Sequence, residues 1–223
     1  ARVSSASVST EDEKDLGVVV VDIGAGTTDV AIYAGGAIRH TAVIPIAGDL
    51  ITSDIAMALH TPTKDAEEIK IQHGCAKQLL ASPDEQVEVA GLGDRAPRFV
   101  SKQVLSGVIE PRVEEIFTLV LQVVRSSGLE EVLSSGFVLT GGAAAMPGMV
   151  ELAEDIFLKP VRTGAPIYKG HLQDFVVKPE MATAMGFLET VRQGRARGAR
   201  VGRQNSGVGA WLARVREFLI GNF

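Results

Sequence analysis

Three apolar runs dominate the first quarter of the chain. Gly17–Ile23, Thr28–Ala34 and Ala37–Ile46 are rich in Val and Ile and are divided by Gly24-Ala25-Gly26 and Gly35-Gly36. That pattern predicts three consecutive strands. Gly35-Gly36 suits a two-residue hairpin turn, which needs positive φ. The first run contains four valines in a row, Val18 to Val21. With no polar alternation, it predicts a central strand covered on both faces.

The pattern then changes period. Asp49–Leu59 carries apolar residues at an approximate helical spacing. Thr63 is placed to cap a helix over Lys64–His73, with Gly74 where a helix-ending glycine belongs. Ala81–Val100 is polar and irregular, with short alternating pieces such as QVEVAG, and reads as hairpin and loop. Lys102–Ser127 carries an apolar stripe including Val104, Leu105, Val108, Ile109, Val113, Ile116, Leu119, Val120 and Val123. Pro111 predicts the start of a second helix or a kink there. A strand over Gly136–Thr140, a glycine turn at Gly141-Gly142 and a helix over Pro147–Phe157 follow. A short strand at Pro160–Thr163 and a helix at Pro179–Arg192 complete the body. Helices follow strands only after the opening meander, so the fold class is α/β with a mixed sheet.

Charge separates the end of the chain from the rest. The 223 residues carry a net charge of −5, yet from Arg192 onward there are seven Arg and a single acid, Glu217. An acidic body therefore carries a basic tail, which suits an anionic partner such as a membrane surface or nucleic acid, or serves as a solubilising end. Arg192–Gly207 is Gly/Arg-rich and without period, a linker composition. Val208, Trp211, Leu212, Val215, Phe218 and Leu219 then fall on one helical face. A helix of this length is too short to span a bilayer and suits lying in its surface. Docking of that face on a protein groove is the other reading. The lone cysteine, Cys75, excludes a disulfide framework and reads as a packing residue. His40, His60, His73 and His171 show no metal-ligand spacing. The chain begins with Ala, as an internally cut or processed chain would, and no secretory leader is evident.

The candidate chemistry sits in VDIGAGTTDV, Val21–Val30. It lacks the Lys-Ser/Thr of a P-loop, and it lacks the third glycine and following helix of a dinucleotide fingerprint. What remains is a bare hairpin between two strands. Its amides at Gly24–Thr28, with the Thr27 and Thr28 hydroxyls, form a nest for anionic oxygens, and Asp22 and Asp29 flank it. Carboxylates beside phosphates call for a cation, and Mg²⁺ binds through few carboxylates plus phosphates. The plain alternative is that Asp29 caps the turn and Asp22 ends a strand.

These residues carry a resemblance. VVVVDIGAGTTDVAIY resembles the second phosphate motif of the actin/Hsp70/sugar-kinase superfamily, and FVLTGGAAAMPGM its adenosine motif. DAEEIKIQHGCA resembles the helix that offers a Glu and a Lys to the ribose, and EMATAMGFLE the second connecting helix. TEDEKDLGV, VIPIAGDLITSDIA, AEEIKIQHGCA and VIEPRVEEI carry a closer likeness to the C-terminal half of the FtsA family, actin-like bacterial cell-division proteins.

The resemblance implies ATP and Mg as cofactors. Nucleotide contacts would come from Asp22, Gly24, Ala25, Gly26, Thr27, Thr28, Asp29, Glu67, Lys70, Gly141, Gly142 and Ala143, with Asp22 holding hydrated Mg. It implies an actin-like (RNase H-like) domain over 17–47 plus 136–192 and a mostly helical inserted subdomain over 48–135. Residues 1–16 would close a preceding half, 193–206 would be a basic linker, and 207–223 a C-terminal amphipathic membrane-targeting helix. The implied partners are other copies in a filament, an anionic membrane surface, other division proteins, and the C-terminal peptide of FtsZ gripped with Arg95 and Arg98, with no nucleic acid. The implied place is the cytoplasmic face of the bacterial cell membrane. No general base is assigned, and hydrolysis is expected to be weak or absent. Only part of an ATP cleft is expected in this chain, so ATP should bind it poorly. The rivals are an ATP-hydrolysing enzyme of the same superfamily and an actin-like pilus-assembly protein.

Overall fold

The computed structural model describes residues 2–168 and 173–196. It opens with two short helices, α1 (Arg2–Val8) and α2 (Glu11–Leu16). A meander follows: β1 (Val18–Ile23), β2 (Thr28–Ala34) and β3 (Ala37–Ile44). Then come α3 (Gly48–Leu59), α4 (Thr63–His73), the hairpin β4 (Gln86–Val89) and β5 (Arg98–Ser101), and α5 (Lys102–Ser126). The sheet is rejoined by β6 (Phe137–Thr140), α6 (Met149–Phe157) and β7 (Val161–Thr163). The short α7 (Gln173–Val176) and α8 (Ala182–Ala196) end the described chain.

The five main strands are ordered β3-β2-β1-β6-β7. β1, β2 and β3 pair antiparallel, whereas β6 lies parallel to β1 and β7 parallel to β6. The all-apolar first run therefore occupies the centre, as its lack of alternation predicts. Gly35 and Gly36 turn the β2–β3 hairpin with φ 59° and 71°, the left-handed values that a two-residue hairpin requires.

Alternation along β1 divides the core. Val19, Val21 and Ile23, with Val30 and Ile32 of β2, join one large cluster with Ile51 and Ile55 of α3 and with α5 and α6. Residues 48–135 share this cluster with the sheet, through Ile69 of α4 and Val87 and Val89 of β4 as well. Phe157 stacks on Phe137 at 4.0 Å and meets Phe117 edge-on at 5.3 Å. On the opposite face Val18, Val20, Ala31, Tyr33 and Val138 pack with Val8 of α1 and Ala182 of α8. Each fully buried aliphatic or aromatic side chain contributes roughly 1.5–3 kcal/mol.

The first sixteen residues are tied down by polar contacts. Arg162 on β7 donates to both carboxylate oxygens of Glu13, each at 2.8 Å, and to the Val8 carbonyl at 2.8 Å. The Ser7 hydroxyl donates to Ala182 O at 2.8 Å, and Ser5 bonds the Tyr33 hydroxyl. A Cβ on Gly186 would lie 1.9 Å from the Val3 carbonyl oxygen, so the small residue lets α8 and α1 approach closely.

Four local expectations are corrected. Pro111 neither starts a helix nor divides one: α5 runs through it for 25 residues. Leu105, Ile109, Val113, Ile116, Phe117, Val120 and Val124 are all buried along one face, and that burial outweighs the roughly 3 kcal/mol cost of an interior proline. Thr63 is the first residue of α4 rather than its cap, because Pro62 stands in the capping position without a side-chain bond. Gly74 is not in the left-handed region (φ −59°); it is small because a Cβ there would meet Lys70 O at 2.3 Å. Finally, α8 continues to Ala196, four residues into the segment read as linker. The chain divides after Phe187 into two compact units. Within the second, Arg192 pairs with Glu189 at 3.5 Å.

Candidate functional site

The chain leaves β1 at Ile23 and returns in β2 at Thr28, with Gly24 N–H donating to Thr27 O at 3.0 Å to close the turn. Ala25, Gly26 and Thr27 are exposed at the sheet end. The first amides of α3 bind this loop: Gly48 N–H donates to Gly24 O at 3.1 Å and Asp49 N–H to Ala25 O at 2.8 Å. Two loop carbonyls are thereby occupied by donors, which removes lone pairs that would repel an anion.

The second wall comes from α4. Glu67 and Lys70 sit one turn apart on one face and form an ion pair at 2.7 Å. Lys70 also donates to Gly48 O at 3.0 Å and to the Thr52 hydroxyl at 2.8 Å, and Thr52 donates to Glu67. Burial pushes the Glu67 carboxyl up, but the bonds from Lys70 and Thr52 outweigh it and hold the group below its ordinary value.

The third wall follows β6. Gly141 has φ +90°, and a Cβ on it would lie 2.5 Å from Ile23 O and 2.6 Å from an Asp22 carboxylate oxygen. Its glycine is demanded by the fold itself. Gly142 is different. Its backbone is helical (φ −62°, ψ −40°), and a Cβ added there would have its nearest neighbour 4.0 Å away, on Glu180. Among the described residues nothing needs Gly142 to be small, so its bareness leaves open backbone at the cavity.

These walls enclose a cavity of about 380 Å³, within the range of small-molecule sites. Of the residues singled out in the sequence, Gly24, Ala25, Glu67, Lys70, Gly142 and Ala143 line it. Gly48, Asp49, Met146 and Glu180 line it as well and were not singled out. Gly48 and Asp49 lie inside the AGDLITSDIA stretch, where the sequence marks a helix start and nothing that places it at a cavity. Asp22, Gly26, Thr27, Thr28, Asp29 and Gly141 do not line this cavity. Asp22 accepts from the Thr183 hydroxyl at 3.0 Å, and Thr27 donates to Asp29 at 3.2 Å. Asp22 and Asp29 are direct cross-strand partners. Thr28 is fully buried and its hydroxyl donates to Ile46 O at 2.7 Å, so it faces away from any ligand at the loop.

A nucleotide with a divalent cation fits this donor set. The bare Gly142 backbone gives a flat ligand room, and Glu67 keeps a carboxylate oxygen outside the bonds above. Among the described residues Lys70 is the one basic residue of the cavity lining, against Asp49, Glu67 and Glu180, so phosphates need a metal ion to neutralise them. Among the described residues no group of three or more His, Cys, Asp or Glu is arranged to hold a metal ion alone. The ligand's own oxygens would have to complete the coordination of Mg.

Arg98 is partly engaged elsewhere, donating to Leu59 O at the end of α3 at 2.9 Å, while Arg95 is exposed in the β4–β5 loop. Cys75 is buried, and its sulfur lies 3.3 Å from Lys77 O. Val208, Trp211, Leu212, Val215, Phe218, Leu219 and His171 lie outside the described residues. Among the described residues no helix is long and apolar enough to cross a membrane.

A sheet of three antiparallel strands continued by two parallel ones is that of the actin-like fold. The Spiroplasma citri MreB5 structure bound to ADP superimposes with a TM-score of 0.70, covering 88% of this chain and 60% of that one at 20% identity. The family is defined more narrowly by sequence. Residues 19–186 match the family model of cell division protein FtsA, and the chain belongs to that family. It is 50% identical over 226 residues to cell division protein FtsA of Pseudomonas aeruginosa, covering 99% of this chain and 54% of the relative. It is 41% identical over 199 residues to that of Bacillus subtilis, covering 89% and 44%. The chain thus spans about half the length of the relatives it matches.

Proposed function

We propose that this chain provides one side of the nucleotide cleft of an actin-like cell-division protein that polymerises on ATP and holds FtsZ filaments at the cytoplasmic membrane. The observation that carries the reading is the convergence of three separated stretches on one cavity: Gly24-Ala25, Glu67 with Lys70, and Gly142-Ala143. Gly142 and Ala143 would face the base and sugar, Glu67 a ribose hydroxyl, and the Gly24–Thr27 loop the phosphates. Asp22 would hold Mg through water. ATP and Mg supply charge and a filament-favouring state, and no hydrolytic step is assigned to any residue here. The solved MreB5 structure is bound to ADP, which supports a nucleotide in a cleft of this shape. The exposed loop bearing Arg95 would meet the acidic FtsZ peptide, and the amphipathic segment Val208–Phe223 the anionic lipid surface.

Isothermal titration calorimetry with Mg-ATP tests the central claim. A full-length FtsA family member carrying this segment should bind at micromolar concentration or better, while the 223-residue chain alone should bind far more weakly. Absence of binding by the full-length protein would overturn the nucleotide reading.

A further inference from the structure

A helix that starts beside an anion site commonly turns its first amides towards the anion. The start of α3 is used otherwise. Gly48 N–H donates to Gly24 O at 3.1 Å and Asp49 N–H to Ala25 O at 2.8 Å, so both amides are spent on the Gly24–Thr27 loop itself. What this helix start offers the cavity is a carboxylate. Asp49 lies in the first turn of α3, is exposed and lines the cavity. A Cβ placed on Gly26 would have an Asp49 carboxylate oxygen 4.0 Å away. Among the described residues no hydrogen bond or ion pair engages that carboxylate. The other two acids of the lining are placed differently. Glu67 is bonded by Lys70 and Thr52, and the Glu180 Cβ lies 4.0 Å from a Cβ placed on Gly142, on another wall. Asp49 is the acid that stands beside the loop.

We infer that Asp49 is a specificity-determining residue of the proposed nucleotide site: its carboxylate rejects a bare triphosphate and admits the nucleotide together with its divalent cation. The inference rests on the nucleotide reading above. Its physical basis is charge. Two unit charges about 6 Å apart at an effective dielectric constant of about 20 interact strongly enough to change an affinity about a hundredfold. Solvent and salt at this exposed carboxylate reduce the effect to about tenfold. With metal-free ATP at the loop the sign is repulsive. A divalent cation on the phosphates reverses it, because such a cation takes carboxylate oxygens directly or through its retained waters. Among the described residues no cluster holds a cation by itself, so the cation arrives with the nucleotide, and Asp49 reads whether it is there.

Titration calorimetry on a full-length family member carrying this segment, with Mg-ATP and with ATP in EDTA, tests the assignment. Asp49→Asn should bind metal-free ATP about tenfold tighter than the parent and Mg-ATP no tighter. A gain confined to the metal-free nucleotide is a result that loop damage cannot produce. Asp49→Glu keeps the charge and should keep the parental ratio of the two affinities within about threefold. Asp65→Asn removes an acid from the first turn of α4, outside this cavity lining, and should leave both affinities within about twofold. If Asp49→Asn fails to fold, Asp49→Ser, another residue suited to a helix start, gives the same comparison. Unchanged metal-free affinity in Asp49→Asn overturns the inference, and so does an equal gain with and without Mg. An equal gain in Asp65→Asn also overturns it, since the effect would then belong to overall charge. Failure of the parent to bind Mg-ATP strikes the nucleotide reading itself, whereas tight Mg-ATP binding with no Asp49 effect strikes this inference alone.

Discussion

Adjacent glycines at the β6 turn should respond in opposite directions to the same methyl group. Gly141→Ala forces an L-residue into φ +90°, at about 1–2 kcal/mol. It also drives a Cβ to 2.5 Å from Ile23 O and 2.6 Å from the Asp22 carboxylate, an overpacking of about 1–3 kcal/mol. Reduced freedom of the unfolded chain returns roughly 0.4–1 kcal/mol. The net loss is about 2–4 kcal/mol, and for a domain of this size the midpoint should fall by about 4–16 °C. Gly142→Ala places its methyl in helical backbone 4.0 Å from its nearest neighbour. It should leave the midpoint unchanged or raise it by about 1–4 °C. In a full-length family member, Gly142→Ala should weaken Mg-ATP binding about tenfold, near 1.4 kcal/mol, because the methyl occupies space the ligand needs. Scanning calorimetry reads the first pair of results and titration calorimetry the third. Equal destabilisation by the two alanines, or full ATP affinity in Gly142→Ala, would refute the assignment of one glycine to the fold and the other to the ligand.

Other outcomes follow from the same contacts. Burial raises the Glu13 carboxyl, but the Arg162 guanidinium and the Thr10 amide and hydroxyl outweigh it and lower the group below its ordinary value. The stabilisation is therefore complete above the unfolded carboxylate pKa of about 4.3 and is lost as pH falls through the lower folded value. Arg162→Met should flatten that acid limb in urea titrations run at successive pH values; a limb of parental steepness would contradict the pairing. Asp22→Asn relieves the cross-strand repulsion with Asp29 while still accepting from Thr183, so it should stabilise the ligand-free chain by about 0.2–1 kcal/mol and weaken Mg-dependent ATP binding. A destabilised Asp22→Asn in denaturant melts would show that the carboxylates are not opposed in solution. Flotation with anionic vesicles should carry the parent chain upward and leave behind a Trp211→Glu, Phe218→Glu variant; co-flotation of both would assign the segment's apolar face to something other than lipid.

The opening strands and the central place of β1 were legible because an unbroken Val run and two glycine breaks leave little choice of period. The inward turn of Thr28 was legible too, since alternation puts it on the face of Val30 and Ile32, but its hydroxyl was assigned to phosphate on type alone. Reading Pro111 as the start of a second helix misled because local backbone cost was weighed without the buried stripe on either side of it. Gly48, Asp49 and Glu180 were not legible as cavity residues. Their place depends on which loops the sheet brings together, and no spacing in the chain encodes that. The pairing of Glu67 with Lys70 followed from helical spacing, whereas the bonds from Lys70 to Gly48 and Thr52 did not, because both acceptors come from α3.

The proline inside α5 has a mechanical consequence. The helix is about 37 Å long, and it reaches from the end of the β4–β5 hairpin towards the strand that carries the Gly141-Gly142 turn. Pro111 has no amide to give the Gly107 carbonyl, and Gly107 brings no side chain to brace the turn; a Cβ on it would stand 2.8 Å from the Gln78 amide nitrogen. The rod therefore has one soft joint, between Gly107 and Pro111, with stiff segments on either side. A sideways load applied at the hairpin will be absorbed there as bending, while a load along the axis will pass through to the sheet.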